Sequence, residues 1–287
     1  MKRNPIDNII ILYQKFDSTN IFLTRYRVLS FFRFIIRVFA NIYLPLYLSL
    51  TKNRSNNKLC NDNKNNIIVS FTTFPARINR VWLVVESLLR QKIKPDRIIL
   101  YLSKEQFNDI DSLPKNLLKL TKRGLEIEFV KGDIKPHKKY YYALKDNFNS
   151  TIITVDDDIF YPSDLIKNLI EFSNEKEGCI ICNIGSLIRF ENNTIMPYKT
   201  WERAKPFTFS NNNFLIGCGG VLYPPGSLNP LVLRKDIFTK LCLLTDDVWL
   251  NAMARLNNTP IFVANCKNPL PILNAHPNNL HSINIGQ

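Results

Sequence analysis

The chain has no unbroken run of about twenty apolar residues, no Gly-Lys-Ser/Thr behind a glycine-rich loop, no second Cys-x-x-Cys pair and no internal repeat. The first absence argues against a simple membrane span, and the second excludes a phosphate-cradling P-loop. Six cysteines, at 60, 179, 182, 218, 242 and 266, are scattered through mostly apolar surroundings. That excludes the framework of a small disulfide-stapled domain and points to buried, reduced thiols. Cys179 and Cys182 belong to Cys-Ile-Ile-Cys, a strand-like run, and read as core residues rather than a zinc or redox pair. A cleaved leader is not expected, because the apolar region starts late and lacks a clear small-residue cleavage site.

What the chain does have is positive charge, +14 over 287 residues. Residues 1–60 carry ten Lys/Arg against two Asp, so the other 227 residues supply only +6. A nucleic-acid binder would carry its basic patch on the folded domain, so no nucleic-acid partner is expected. Here the charge travels with an apolar segment, residues 21–50, which points to an anionic membrane surface. Arg33, Arg37 and Asn41 recur every fourth residue, giving one polar helix face. The uncharged run Val38–Leu50 is 13 residues long and holds Asn41 and Pro45, too short to span. Residues 1–52 therefore read as a membrane-associating segment with an interfacial helix. The alternative is a helix docked on the protein's own core. Residues 53–66, with seven Asn, read as a linker.

From Ile67 the pattern alternates. Strands are expected at 67–71, 97–102, 125–130, 151–155 and 180–183, and helices at 81–91, 113–122, 140–147, near 163 onward and 246–256. Such alternation implies an α/β fold with a mostly parallel, doubly wound sheet over 67–287.

Four segments carry chemistry. The strand Thr151–Val155 runs into Asp156-Asp157-Asp158, where ligands of open α/β sheets bind. Three adjacent carboxylates repel one another unless a cation such as Mg²⁺ or Mn²⁺ joins them. The bland reading is a solvated turn before a helix. The first strand leads into Thr72-Thr73-Phe74-Pro75-Ala76-Arg77, a set of hydroxyls, ring and guanidinium suited to a base, ribose and phosphate. Asp133, Lys138 and Lys139 follow the third strand on the same side. Gly217, Gly219 and Gly220 permit close backbone approach to a ligand, or merely a tight bend. Thr245 reads as the N-cap of a helix that opens with Asp246 and Asp247, acids that suit its dipole or supply a general base. His276 and His281 each offer a further metal ligand.

In this order the segments resemble GT-A-type glycosyltransferases, especially small bacterial surface-polysaccharide enzymes and the β-1,3-galactosyl/N-acetylglucosaminyltransferase group. The resemblance covers about residues 67–287 and departs in having Asp246-Asp247 where Glu-Asp is more frequent. It implies a GT-A, Rossmann-like fold there, preceded by the N-terminal amphipathic helix read above from the spacing of its polar residues. It also implies Asp158 and Asp156 on Mn²⁺ or Mg²⁺ together with His281 or His276. Thr72, Thr73, Phe74, Arg77, Asp133, Lys138, Asp156, Asp157, Gly219 and Gly220 would line the nucleotide-sugar site, UDP being the implied nucleotide. Asp247, paired with Asp246, would be the base in a single inverting displacement. The acceptor would be a glycan or lipid-linked sugar at the cytoplasmic face of the inner membrane. Two other classes fit less well: a nucleotidyltransferase, which would carry a Gly-rich basic loop after the first strand, and a non-catalytic nucleotide-sugar-binding protein.

Overall fold

The computed structural model describes residues 4–16, 28–51, 59, 66–265 and 268–273. Helix α1 (Pro5–Lys15) starts where Asn4 Oδ1 accepts from the Ile6 amide at 3.2 Å and Pro5 fills the first turn. Helix α2 (Val28–Leu50) runs 23 residues and is long and apolar enough to cross a membrane, longer than the broken uncharged run implies. It continues through Pro45, whose missing N–H leaves the Asn41 carbonyl without its helical donor. Arg80 Nη2 donates to that carbonyl instead, at 3.4 Å.

The alternating stretch follows as β1 (Ile67–Thr72), α3 (Val81–Leu89), β2 (Arg97–Ser103), α4 (Lys115–Leu118), β3 (Leu125–Val130), α5 (Lys138–Asp146) and β4 (Thr151–Thr154). The helix expected over 113–122 is one α-turn and a 3₁₀ turn at Thr121–Arg123. Pro114 opens it, and Gly124 stops it at φ 108°. Next come β5 (Ile159–Phe160), α6 (Leu165–Glu175), β6 (Ile180–Cys182), β7 (Gly185–Leu187), β8 (Phe190–Glu191), β9 (Thr194–Ile195), β10 (Glu202–Arg203), β11 (Thr208–Ser210), β12 (Asn213–Leu215) and β13 (Val221–Tyr223). The described chain closes with α7 (Lys235–Leu241), α8 (Asp246–Leu256), β14 (Ile261–Val263) and β15 (Leu270–Pro271).

Eight strands form one sheet in the order β11-β14-β6-β13-β4-β1-β2-β3, in which only β11 and β13 run against the rest. The fold is thus α/β with a mostly parallel sheet, as the alternation implied. β1, β2 and β4 are buried almost throughout, so their Ile, Val and Leu runs face helices on both sides. β1 pairs with β2 on one side and β4 on the other, so the chain reverses direction across the sheet there. The crevice beyond their carboxyl ends is where such sheets take ligands. Antiparallel β13 starts opposite the end of β4, Val221 facing Thr154, which lays the glycine-rich turn beside the acids.

All nine residues of α3 are buried, Glu86 included. Its carboxylate meets Arg123 Nη1 at 2.6 Å and Arg90 Nη2 at 3.2 Å. Glu86→Ala would strand two half-buried guanidiniums in the core. It is expected to lower stability by about 3–5 kcal/mol, read as a shifted urea midpoint at unchanged slope. A midpoint within error of wild type would show that the three charges contribute nothing net.

The N-terminal helices pack onto this body. Ile6, Ile9, Ile10 and Tyr13 of α1 and Ile36, Ala40, Leu44 and Leu48 of α2 belong to the same core cluster as β1 and α3. Asp7 takes both the amide and the hydroxyl of Ser163, at 2.7 and 2.6 Å, ahead of α6. Of the Asn-rich stretch 53–66 only Leu59 and Asn66 are described, and Leu59 packs at the cluster's edge.

Candidate active site

Two groups of carboxylates meet beyond the ends of β1 and β4. In the first, the turn after β4 points Asp157 inward and leaves Asp156 and Asp158 half-open. Thr73 Oγ1 donates to Asp157 Oδ2 at 2.5 Å, and Arg77 Nη1 lies 2.6 Å from Asp157 Oδ1 and 3.0 Å from Asp158 Oδ2. The Arg77 guanidinium rests over the Phe74 ring, 5.3 Å from its centroid. Thr73, Phe74 and Arg77 therefore brace the acid turn directly, while Thr72 donates to the Tyr101 carbonyl at 2.8 Å. Burial, then repulsion from Asp157, pushes the Asp158 carboxyl up to about 7, against the pull of Arg77.

In the second group, α8 presents Asp246 and Asp247 from its first turn. Lys139, at the start of α5, lies between the groups, 2.9 Å from Asp156 Oδ1 and 2.8 Å from Asp246 Oδ2. Burial disfavours its ammonium, but Asp156, Asp246 and Asp247 outweigh it and hold the pKa well above 10.5. Asp247 Oδ2 accepts from the Gly217 amide at 3.0 Å, while its Oδ1 is buried with no hydrogen-bond partner among the described residues. Burial, then Asp246, raises the Asp247 carboxyl to about 7. Lys139 and the Gly217 amide pull the other way and lose.

The glycine-rich turn fits because it lacks side chains. A Cβ on Gly217 would lie 2.7 Å from Asp247 Oδ1 and 3.0 Å from Lys139 Nζ. Gly220 holds φ 87°, which L residues rarely adopt. The Gly219 carbonyl accepts from Asn183 Nδ2 at 2.9 Å. Buried Tyr161 ties this turn to the acids, its hydroxyl accepting from the Asp156 amide at 2.8 Å and donating to the Cys218 carbonyl at 3.2 Å.

Some sequence-predicted residues lie elsewhere. Asp133 pairs with Lys138 and Lys135 and accepts from Gln106 at 2.9 Å, so it and Lys138 form a network of their own. Lys139, the next residue, joins the acids in their stead. Thr245 occupies the N-cap position of α8, but its hydroxyl turns back to the Cys242 carbonyl at 3.4 Å and caps no amide. His276 and His281 lie outside the described residues. The remaining histidine, His137, is buried between the Tyr140 hydroxyl at 2.8 Å and the Cys242 carbonyl at 2.9 Å. A carbonyl only accepts, so Nε2 carries the proton and Nδ1 accepts from Tyr140. Burial lowers its pKa. Sequence reasoning placed Lys139 on this side together with Lys138 but passed over His137 and Tyr161, which carry no motif.

Five carboxylates (Asp156, Asp157, Asp158, Asp246 and Asp247) thus surround two cations, Arg77 and Lys139. Among the described residues no three His, Cys, Asp or Glu side chains converge as a closed metal site. Mg²⁺ and Mn²⁺ bound with phosphates need fewer, one or two carboxylates plus waters and phosphate oxygens. Asp156 and Asp158 each engage a cation through one oxygen, and among the described residues no partner is seen for Asp156 Oδ2 or Asp158 Oδ1, so these hard donors fit such a cation.

No known family's sequence profile matches the chain, and no curated protein does. Solved structures do. S. aureus TarS 1–349 in complex with UDP is 17% identical over 71% of this chain and 59% of that one, TM-score 0.46. The same TarS fragment with UDP-GlcNAc gives 16%, 75%, 60% and 0.46. A 4-diphosphocytidyl-2C-methyl-D-erythritol synthase is 15% identical over 76% of this chain and 97% of that one, TM-score 0.43. The chain spans about three fifths of the TarS fragment. Likeness at these scores and identities fixes no residue's role and no substrate.

Proposed function

We propose that the chain is a GT-A-type glycosyltransferase moving a sugar from a nucleotide-sugar donor, UDP being the nucleotide, to a glycan or lipid-linked acceptor in cell-surface polysaccharide assembly. The observation that carries this reading is the pairing of half-open Asp156 and Asp158 with a buried, partnerless Asp247 oxygen across one crevice. A divalent cation held by Asp156 and Asp158, with a C-terminal histidine as a further ligand, would neutralise charge gathering on the departing diphosphate. Arg77 and Thr73 fix Asp157, so the acid turn needs no rearrangement when the donor arrives. Asp247 Oδ1 takes the proton of the acceptor hydroxyl as that oxygen attacks the anomeric carbon. A single in-line displacement inverts the configuration there. Gly217 lets Asp247 and Lys139 close against the turn, and Lys139 holds Asp246 in place. The acceptor's lipid would place the enzyme at the cytoplasmic face of the inner membrane.

Donor hydrolysis tests this without knowledge of the acceptor. UDP-sugars with Mn²⁺ should release UDP slowly, and Asp158→Ala should reduce release by about 10²–10³-fold at unchanged melting temperature. Release by the alanine variant equal to wild type would end the assignment of Asp158.

A further inference from the structure

Helix α2 turns polar residues inward and leaves a broad apolar face outward, unlike the surface helix of a soluble protein. Its polar residues lie toward the protein: Arg33 Nη2 donates to the Tyr13 hydroxyl at 3.0 Å, and Asn41 is buried. Beyond the apolar residues that it buries, a second and larger apolar set lies outward. Phe31, Phe32, Phe34, Ile35, Phe39, Ile42, Leu46 and Leu50 are between 43% and 81% exposed, and Ile11 and Leu12 of α1 extend the surface. Water-facing helices place these types the other way, and contiguous apolar patches on monomers mark interaction sites.

We propose that this outward face is a docking surface for an anionic lipid bilayer, with α2 lying along the interface and not crossing it. The face opposite the apolar one is committed to the core through Ile36, Ala40, Leu44 and Leu48, so lipid cannot surround the helix. A bilayer suits the surface better than a second copy of the chain. Two copies would bring together two segments that each carry ten Lys/Arg against two Asp, whereas anionic headgroups neutralise them.

The surface also lies against the acid turn. Asn41 Nδ2 donates to the Pro271 carbonyl at 3.1 Å, and its Oδ1 accepts from the Leu273 amide at 2.8 Å. Between them, the Ile272 amide donates to the Asp158 carbonyl at 2.6 Å, and β15 pairs with β5 directly after the acids. One buried asparagine therefore joins the lipid-facing helix to the strand that holds Asp158. A docked chain would carry its crevice at the membrane surface, within reach of a lipid-linked acceptor. That last step rests on the transferase reading, and the docking does not.

The test uses the full chain, vesicles of equal parts phosphatidylcholine and phosphatidylglycerol, and the double variant Phe39→Glu/Leu46→Glu. Wild type should float with the vesicles, less so at high salt. Each buried side chain of this size is worth roughly tenfold or more in partition, so the double variant should lose at least that factor at unchanged melting temperature. Because the exposed site tolerates charge, a second pair, Phe34→Ser/Ile42→Ser, should lose binding likewise. Equal flotation of wild type and both variants would overturn the proposal. So would sedimentation showing a wild-type dimer that the variants split while flotation stays the same. An absence of donor hydrolysis alongside the expected flotation would count against the transferase reading alone.

Discussion

Asp247→Asn should lower kcat/KM by about 10²–10⁴-fold, the span of a lost general base. The asparagine oxygen can still accept from Gly217, so the turn stays in place while the proton acceptor is gone. Wild-type kcat/KM should climb roughly tenfold per pH unit up to about 7, where burial and Asp246 place the Asp247 carboxyl, and level off above it. The variant should lose that limb. Stability should move oppositely. A carboxyl whose folded pKa stands above its unfolded value binds more protons folded than unfolded. Its burial therefore destabilises the fold increasingly as pH rises from about 4 to about 7. Asp247→Asn removes that term and should melt higher than wild type at about pH 8, by a few kcal/mol at most. Full activity in the variant, or a wild-type profile flat from about pH 5 to pH 8, would remove Asp247 from the reaction.

Lys139→Met carries the second large effect, on stability first. It leaves Asp156 and Asp246 facing each other without a buried cation, at a cost of about 3–5 kcal/mol. The ammonium's pKa lies above its unfolded value, so its contribution is fully present at every pH below about 10. What changes with pH is the penalty of its absence. Acid protonates the neighbouring Asp247 carboxyl, which Lys139 pulls down in the wild type, so the gap between wild type and variant in urea midpoint should narrow from about pH 8 to about pH 5. The rate limb of Asp247 should also move to higher pH, because Lys139 pulls that carboxyl down. A midpoint loss equal at both pH values would mean that methionine merely packs badly.

Much of this fold was legible because long-range order left local marks. Apolar runs of five or six residues alternating with helical spacing gave β1 to β4 and α3, and the acid turn and the first turn of α8 followed as their ends. The antiparallel strands β11 and β13 were not legible, since three-residue strands have no period to read. Lys139 was indistinguishable from Lys138 in sequence. Neighbours on a helix differ by about 100° in direction, and only packing decides which enters the crevice. Glu86 and His137 look like surface residues until Arg123 closes on the first from 37 residues away and the Cys242 carbonyl on the second from 105. For α2 the spacing showed that one face is polar but could not show that this face turns inward.

Tyr161 decides how the crevice can respond to what enters it. One phenol oxygen holds the backbone on both flanks, Asp156 to one side and Cys218 to the other. Because both bonds end on the same oxygen, the two flanks are tied to each other through hydrogen bonds of 2.8 and 3.2 Å. Selection among ligands would then fall to the side chains lining the gap and not to its width.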